Sequence, residues 1–412
     1  MTPSSIANIP SRHPGQRGDV TPLLRLVAGL LKVQPPTEAE WEAIGTALTI
    51  GDGPVDELVE WMRTVGMGTA RPLFDRASAD RIGSLVDPPG PLRAFFELVE
   101  TPPSWVDWER IALGQRTFQR GGADGVYLTR NVPYLGGFAA SGINRTLVLT
   151  KTGQSGATGG GQRFAESLQW GLDVIGGELR PGGSGYRSTL QVRLIHGLVR
   201  GHVAALPQWR PGEWGVPVNQ TDMAATMLGA LYAPVVASLA MGLIYTPREL
   251  DAIAHVARYT GWLMGIEERY LPGSFRDATR QLYHYFMALS SPDETSRQLA
   301  QPMAADPLAW HYPRLAPLRR RIAWAQHLSI ARAYLGNARM RELGLPTYMP
   351  PWYPALKLPV NLTRSGLALA LPGGRDRQAR AGLRRQRAFV RTLTGPKAAV
   401  IGESASYVGR AA

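Results

Sequence analysis

The apolar run QVRLIHGLVRGHV (191–203) sets one imidazole between two guanidiniums, His196 between Arg193 and Arg200. On a helix the offsets of −3 and +4 bring both arginines within about 60° of the histidine. A buried imidazole is a good iron ligand, and the fixed fork of a guanidinium neutralises carboxylates that leave water. The trio therefore suits a haem, with His196 on the iron and Arg193 and Arg200 beside the two propionates. The same spacing also fits a hydrogen-bonded core histidine with ordinary arginines around it, and spacing alone leaves both readings open. His202 falls on another face and cannot share an iron with His196.

A second polar row precedes this one. Arg163, Glu166, Ser167 and Trp170 lie at offsets of 3, 4 and 7, again on one helix face. The turn GGELRPGGSG (176–185) joins the two segments, so they are expected to pack as antiparallel neighbours. Their polar faces then oppose each other with room for a flat cofactor between them. The alternative is an internal salt bridge, Glu166 pairing with Arg163 or across to Arg193.

Several other chemistries are excluded. None of the seven histidines has Asp or Glu three residues before it, which removes HExxH and di-iron ExxH sites. GxGxxG, GxxxxGK[ST] and GxSxG are absent as well. With no cysteine, disulfides, thiolate metal sites, iron–sulfur clusters and covalently attached or thiolate-bound haem drop out. Any haem here is held without a thioether link to the chain.

The 412 residues, 44% hydrophobic and 19% charged, describe a globular protein with a large core. Its net charge of +13 is carried almost wholly by arginine, with lysine only at positions 32, 151, 357 and 397. Basic residues cluster at Arg319–Arg321 and along Arg375–Arg391 with Phe389 the one aromatic among them and no nucleic-acid motif, so no nucleic-acid partner is expected and contact with a membrane surface stays open. The first residues show no apolar signal segment, and the reading is cytoplasmic. Met223–Tyr245 runs 23 residues without a charge; its alanines, glycines and Pro234 favour a buried core helix over a membrane span.

The elements that position the site read as helices. Residues 1–20 form a polar, flexible lead, followed by a capping box at Thr37 and Glu40. Helical periodicity marks 54–66, 91–99, 106–120, 163–175, 186–204, 220–244, 247–270, 274–289, 317–343 and 376–392. Asn219 to Asp222 and Pro247 supply start signals. TLVLT (146–150) is the one β-like run, Gly153–Gly161 reads as a loop, and the proline-rich 345–361 reads as an irregular surface passage. The expectation is an all-α protein: one large helical domain over 21–370, with its core at 90–345, then a basic C-terminal helix and tail over 371–412.

The segments RFAES (163–167), RLIHGLVR (193–200), VNQTD (218–222) and YTGWLMGI (259–266) together resemble the latex-clearing-protein (rubber oxygenase) and mycophenolic-acid oxygenase-like family. The resemblance implies a globin-like helical core holding one haem b (iron protoporphyrin IX), with His196 as proximal ligand and Arg193 and Arg200 beside the haem. It also implies distal roles for Arg163 and Ser167, and oxidative cleavage of isoprenoid double bonds by dioxygen. Two positions depart from the rubber-cleaving branch. Glu166 stands where that branch has a lysine, and Ser141–Gly161 contains no acid where that branch has a glutamate base. The expected substrate is therefore an apolar, isoprenoid-like molecule or polymer, with Arg163, Glu166 and Ser167 as the catalytic candidates and Glu166 placed to move protons. Two further readings remain: a haem protein that does not oxygenate (peroxidase-like, sensor or carrier), and a haem-free helical protein bound to membranes through the 375–391 arginines.

Overall fold

Helix starts follow the capping chemistry written in the chain. The Thr37 hydroxyl accepts from the Glu40 amide while the Glu40 carboxylate takes the Thr37 amide, opening Glu38–Thr46. Thr246 and Glu249 repeat the device ahead of Pro247–Leu263, and the Asn219 side chain caps Gln220–Met227 through the Asp222 amide. The computed structural model describes residues 9–150 and 156–403. Among the described residues there are helices and turns and no strand. The main apolar core runs from Val20 to Val390, with two small clusters beside it, so the chain forms one large helical domain.

Most helices fall where periodicity put them, including Gly53–Val65, Trp108–Arg120, Ser184–Ala204, Phe275–Ala288 and Gly374–Thr394. Helices at Pro22–Leu30, Met67–Asp80 and Glu294–Ala305 were not marked by the pattern. Three readings are corrected. TLVLT is not β but the end of the helix Ser141–Leu149. Its β-branched residues yield to tertiary contacts, because Asn144 reaches Thr295 and Ser296, and Ser290 accepts from the Gly142 amide. The glycine stretch is helical from Gly156 onward, as the first turns of Gly156–Gly176, while 153–155 lie outside the described residues. The passage 345–361 turns into the helix Trp352–Ala370, which carries Pro359 inside it.

The described part of the lead, residues 9–20, is held against the helices rather than free. Ser11 and Arg12 donate backbone bonds to Gly212 and Glu213, Arg12 pairs with Asp222 at 2.6 Å, and His13 lies 4.6 Å from the Trp41 ring. The basic C-terminal helix is equally part of the domain. A Cβ at Gly382 would sit 1.9 Å from the Gln119 carbonyl, a closeness only glycine permits.

The segment 220–240 is the one helix, among the described residues, long and apolar enough to cross a membrane, and most of it is buried in the core. It is not regular. A π turn at Leu228–Tyr232 interrupts it just before Pro234, and a second π turn, Arg130–Leu135, contains Pro133. Proline has no amide to donate to the preceding turn, so the register widens at both places. The two π turns touch, with Pro133 lying 3.6 Å from where a Cβ on Gly229 would stand.

Arg130, fully buried in its π turn, donates to the Asp306 carboxylate and to the Met303 carbonyl under the Trp310 ring. Beside it, Asn131 donates from Nδ2 to His327 Nδ1 at 2.6 Å, and that nitrogen can accept only while the imidazole is neutral. Burial, reinforced by Arg130, pushes the His327 pKa well below 6.5. Replacing Asp306 by Ala leaves Arg130 uncompensated in the core and is expected to cost about 3–5 kcal/mol in urea unfolding. Replacing the exposed Asp87 beside Arg93 is expected to change stability by less than about 1 kcal/mol. As pH falls below 6.5, unfolded His327 takes up a proton that the folded ring refuses, so stability is present above that pH and declines below it. Urea midpoints measured across that range should show the decline, and His327→Phe should make it shallower, leaving the share of the other buried histidines.

Candidate active site

Two helices build the site: Gly156–Gly176, which carries Glu166, and Ser184–Ala204, which carries His196. The link between them turns tightly because Gly182 adopts φ +86° and because a Cβ at Gly185 would stand 2.6 Å from the Asp173 carbonyl. Gln115 and Gln119 reach over from Trp108–Arg120 and donate to the last carbonyls of the glutamate helix, at 2.6–2.8 Å. Trp170 donates across the pair to Thr189 at 3.2 Å.

Between these helices lies a cavity of about 270 Å³. Arg163, Glu166, Ser167 and Trp170 line it from one side, the row their spacing marked. Val192, Ile195, His196 and Val199 line it from the other, with Met223 and Met227 closing the wall. A smaller, mostly apolar chamber of about 80 Å³ adjoins it, with Tyr134, Ser167, Trp170 and Ala230 shared between the two. Tyr134 and Ala230 come from the two π turns, whose widened backbone points them inward.

The surface His196 retains opens onto the cavity, although the residue lies deep in the molecule. Burial first, then the Arg200 charge, push its pKa down to about 4, so the ring is neutral near pH 7. Its Nδ1 is buried without a hydrogen-bond partner. Opposite, the Glu166 carboxylate is buried and accepts from the Gly402 amide at 3.2 Å. Tyr134 is hydrogen-bonded to Ser167, and its phenol pKa is raised by burial against the opposing pull of Ser167 and Arg163.

Arg193 and Arg200 do not line the cavity. The wall centres on Val192, Ile195 and Val199, His196 sits at its margin, and the two arginines lie a further step around the helix. There they meet the Gly53–Val65 helix. Arg193 grips Asp52 with two bonds of 2.7 Å, and Arg200 bonds Asp56 at 2.5 Å and the Val218 carbonyl at 3.0 Å. In this structure both guanidiniums pair with the chain's own carboxylates. Gly265 makes room for the first pair, since a Cβ there would stand 1.9 Å from Asp52 Oδ2.

The family described as ER-bound oxygenase mpaB/B′/rubber oxygenase, catalytic domain, matches residues 127–371. The chain belongs to this family. It is 25% identical over 198 residues to the rubber oxygenase of Streptomyces sp. (strain K30), covering 47% of this chain and 47% of that protein. The match therefore spans about half of that relative's length. The structure of latex clearing protein LCP in its closed state superposes with a TM-score of 0.64 at 19% identity, over 84% of this chain and 91% of that one, and shares the fold.

The family match takes in both site helices and both π turns. Its limit at 371 leaves out two contributors to the cavity that sequence reading also missed. Ile401 and Gly402 lie over the cavity wall, with the Ile401 carbonyl accepting from Gln191 at 3.0 Å. Arg12 reaches Asp222, a wall residue read from sequence only as part of a helix cap. The VNQTD run was the available signal for Asp222; nothing local marks Tyr134 or Ile401.

Asp52→Ala strips Arg193 of its carboxylate and is expected to destabilise the fold by about 3–5 kcal/mol. Gly265→Ala should lower the urea midpoint in the same direction, through the same pair.

Proposed function

We propose that this family member is a b-type-haem-dependent oxygenase that uses dioxygen on an apolar, isoprenoid-like substrate, with His196 as the proximal ligand. One observation carries the reading: a half-buried imidazole, neutral near pH 7, opens onto an apolar-walled cavity whose other side is the Arg163–Glu166–Ser167 row. Among the described residues no cluster of three or more His, Asp or Glu is arranged to hold a metal, so iron at this single imidazole needs a macrocycle for its other ligands. Membership of an oxygenase family supports the reaction class, and the name of the relative, rubber oxygenase, supports an apolar substrate.

Bound haem supplies the activation of dioxygen; the remaining tasks fall to side chains. His196 holds the group, and its helix is kept in place by the Arg193–Asp52 pair. Arg163 brings a positive charge to the cavity, suited to a propionate or to a reduced oxygen species. Ser167, hydrogen-bonded with Tyr134, offers a hydroxyl at the junction of the two chambers. Glu166 is the acid in this row; it lines the cavity, and its Oε2 accepts from the Gly402 amide. It is therefore placed to accept a proton from an allylic C–H of the substrate. The methionines and branched aliphatic residues exclude water and match an apolar chain.

Protein supplied with protohaem is expected to show a Soret band and a b-type pyridine haemochrome, both lost in His196→Ala. A colourless wild-type preparation, or a Soret band unchanged in that variant, overturns the assignment. Glu166→Gln should keep the Soret band and lower the rate of oxygen uptake with an apolar alkene by about 10²-fold. Turnover driven only by peroxide would instead identify a non-oxygenating haem protein.

A further inference from the structure

The helix Trp352–Ala370 is amphipathic the wrong way round for a surface helix in water. Its inward face carries Asn361 and Ser365, both buried, with Asn361 donating to Asp124 and to the Met241 carbonyl at 3.1 Å. Its two charged residues also turn inward: Lys357 pairs with Asp124 at 3.2 Å, and Arg364 donates to Asn361 at 3.3 Å. The outward face is apolar apart from Thr363. Trp352, Leu356, Val360, Leu367 and Leu371 fall within about 100° of arc. Leu356, Leu367 and Leu371 each keep more than half of their surface, at 59%, 55% and 52%. Tyr348, just ahead of the helix, is 71% exposed. A contiguous stripe of this kind on a folded protein calls for an apolar phase beside it.

The next helix says which one. After a short turn, Gly374–Thr394 presents Arg377, Arg380, Arg384, Arg387 and Arg391 at offsets of 3, 7, 10 and 14, an exposed row within about 80° of arc. No acidic residue follows Asp376 in this helix. Arg364 and Arg385 are close enough to repel, and the row itself begins beside the linking turn, with Arg377 Nη1 3.5 Å from where a Cβ on Gly373 would stand. A second copy of the chain meeting this surface about a two-fold axis would set arginine against arginine. Anionic headgroups would answer the guanidiniums while acyl chains receive the leucines, with Trp352 and Tyr348 at the boundary.

We propose that the outward face of Trp352–Ala370, with the adjoining arginine row of Gly374–Thr394, docks this protein on the surface of an anionic phospholipid bilayer without crossing it. The test is flotation of the full chain with vesicles of phosphatidylcholine alone and of phosphatidylcholine mixed with phosphatidylglycerol. Binding is expected to the mixed vesicles and to weaken as salt is raised. Leu356→Glu with Leu367→Glu should weaken it roughly tenfold or more. Arg380→Gln, Arg384→Gln and Arg387→Gln together should weaken it roughly a hundredfold. Circular dichroism melting is expected to be unchanged, because all five side chains are exposed. Failure of the wild type to float with the mixed vesicles overturns the proposal, as does undiminished flotation of the leucine variant. It is overturned equally if the leucine substitutions split a dimer in sedimentation velocity while the wild type leaves vesicles unbound. None of these readouts involves haem or turnover, so their failure is distinct from failure of the oxygenase reading.

Discussion

The buried pair of Arg193 and Asp52 is the contact on which the site's geometry rests. Asp52 stands at the N-cap position of Gly53–Val65, yet its carboxylate makes no capping bond. It is committed instead to both ends of the Arg193 fork, in a space that exists only because residue 265 lacks a side chain. The Arg193 guanidinium also lies 5.1 Å from the Phe95 ring and donates to the Leu263 carbonyl, so four segments meet at one cation. A charge held this way cannot slide, because every displacement leaves a polar group unpaired away from water. The histidine helix inherits that rigidity.

Rigidity on one side is met by irregular backbone on the other. The two π turns, each tied to a proline, interrupt helices that line the cavity. The widened turns bring Tyr134 and Ala230 to the boundary between the chambers. The Arg130–Asp306 pair anchors the first of these turns, so an internal ion pair again fixes a cavity wall. Chain ends complete the enclosure. Arg12 reaches Asp222 from the N-terminal side, and Gly402 reaches Glu166 from the C-terminal side. A catalytic-domain description that ends at 371 therefore omits residues that touch the candidate chemistry.

Much of this was legible in the chain. The capping box at Thr37, the Asn219 cap, the Pro247 start and the glycine-rich link at 176–185 act within one or two turns, where local chemistry decides. Helical periodicity likewise put Arg163, Glu166, Ser167 and Trp170 on one face and brought that face to the cavity. The TLVLT run was misread because β-branched propensity is weaker than the contacts that hold Asn144 and Gly142 in place.

By itself, then, the sequence determined the all-α class, the antiparallel helix pair and the row of Arg163, Glu166, Ser167 and Trp170 that lines the cavity, since these follow from local chemistry and from spacing along a single helix. Tertiary structure alone decided which partner each charge takes. Arg193 finds Asp52 from 141 residues away, Glu166 finds Gly402 from 236, and Lys357 turns inward to Asp124. Spacing constrains direction within a helix, whereas the neighbour in that direction is set by how distant helices pack, and burial then makes the pairing obligatory.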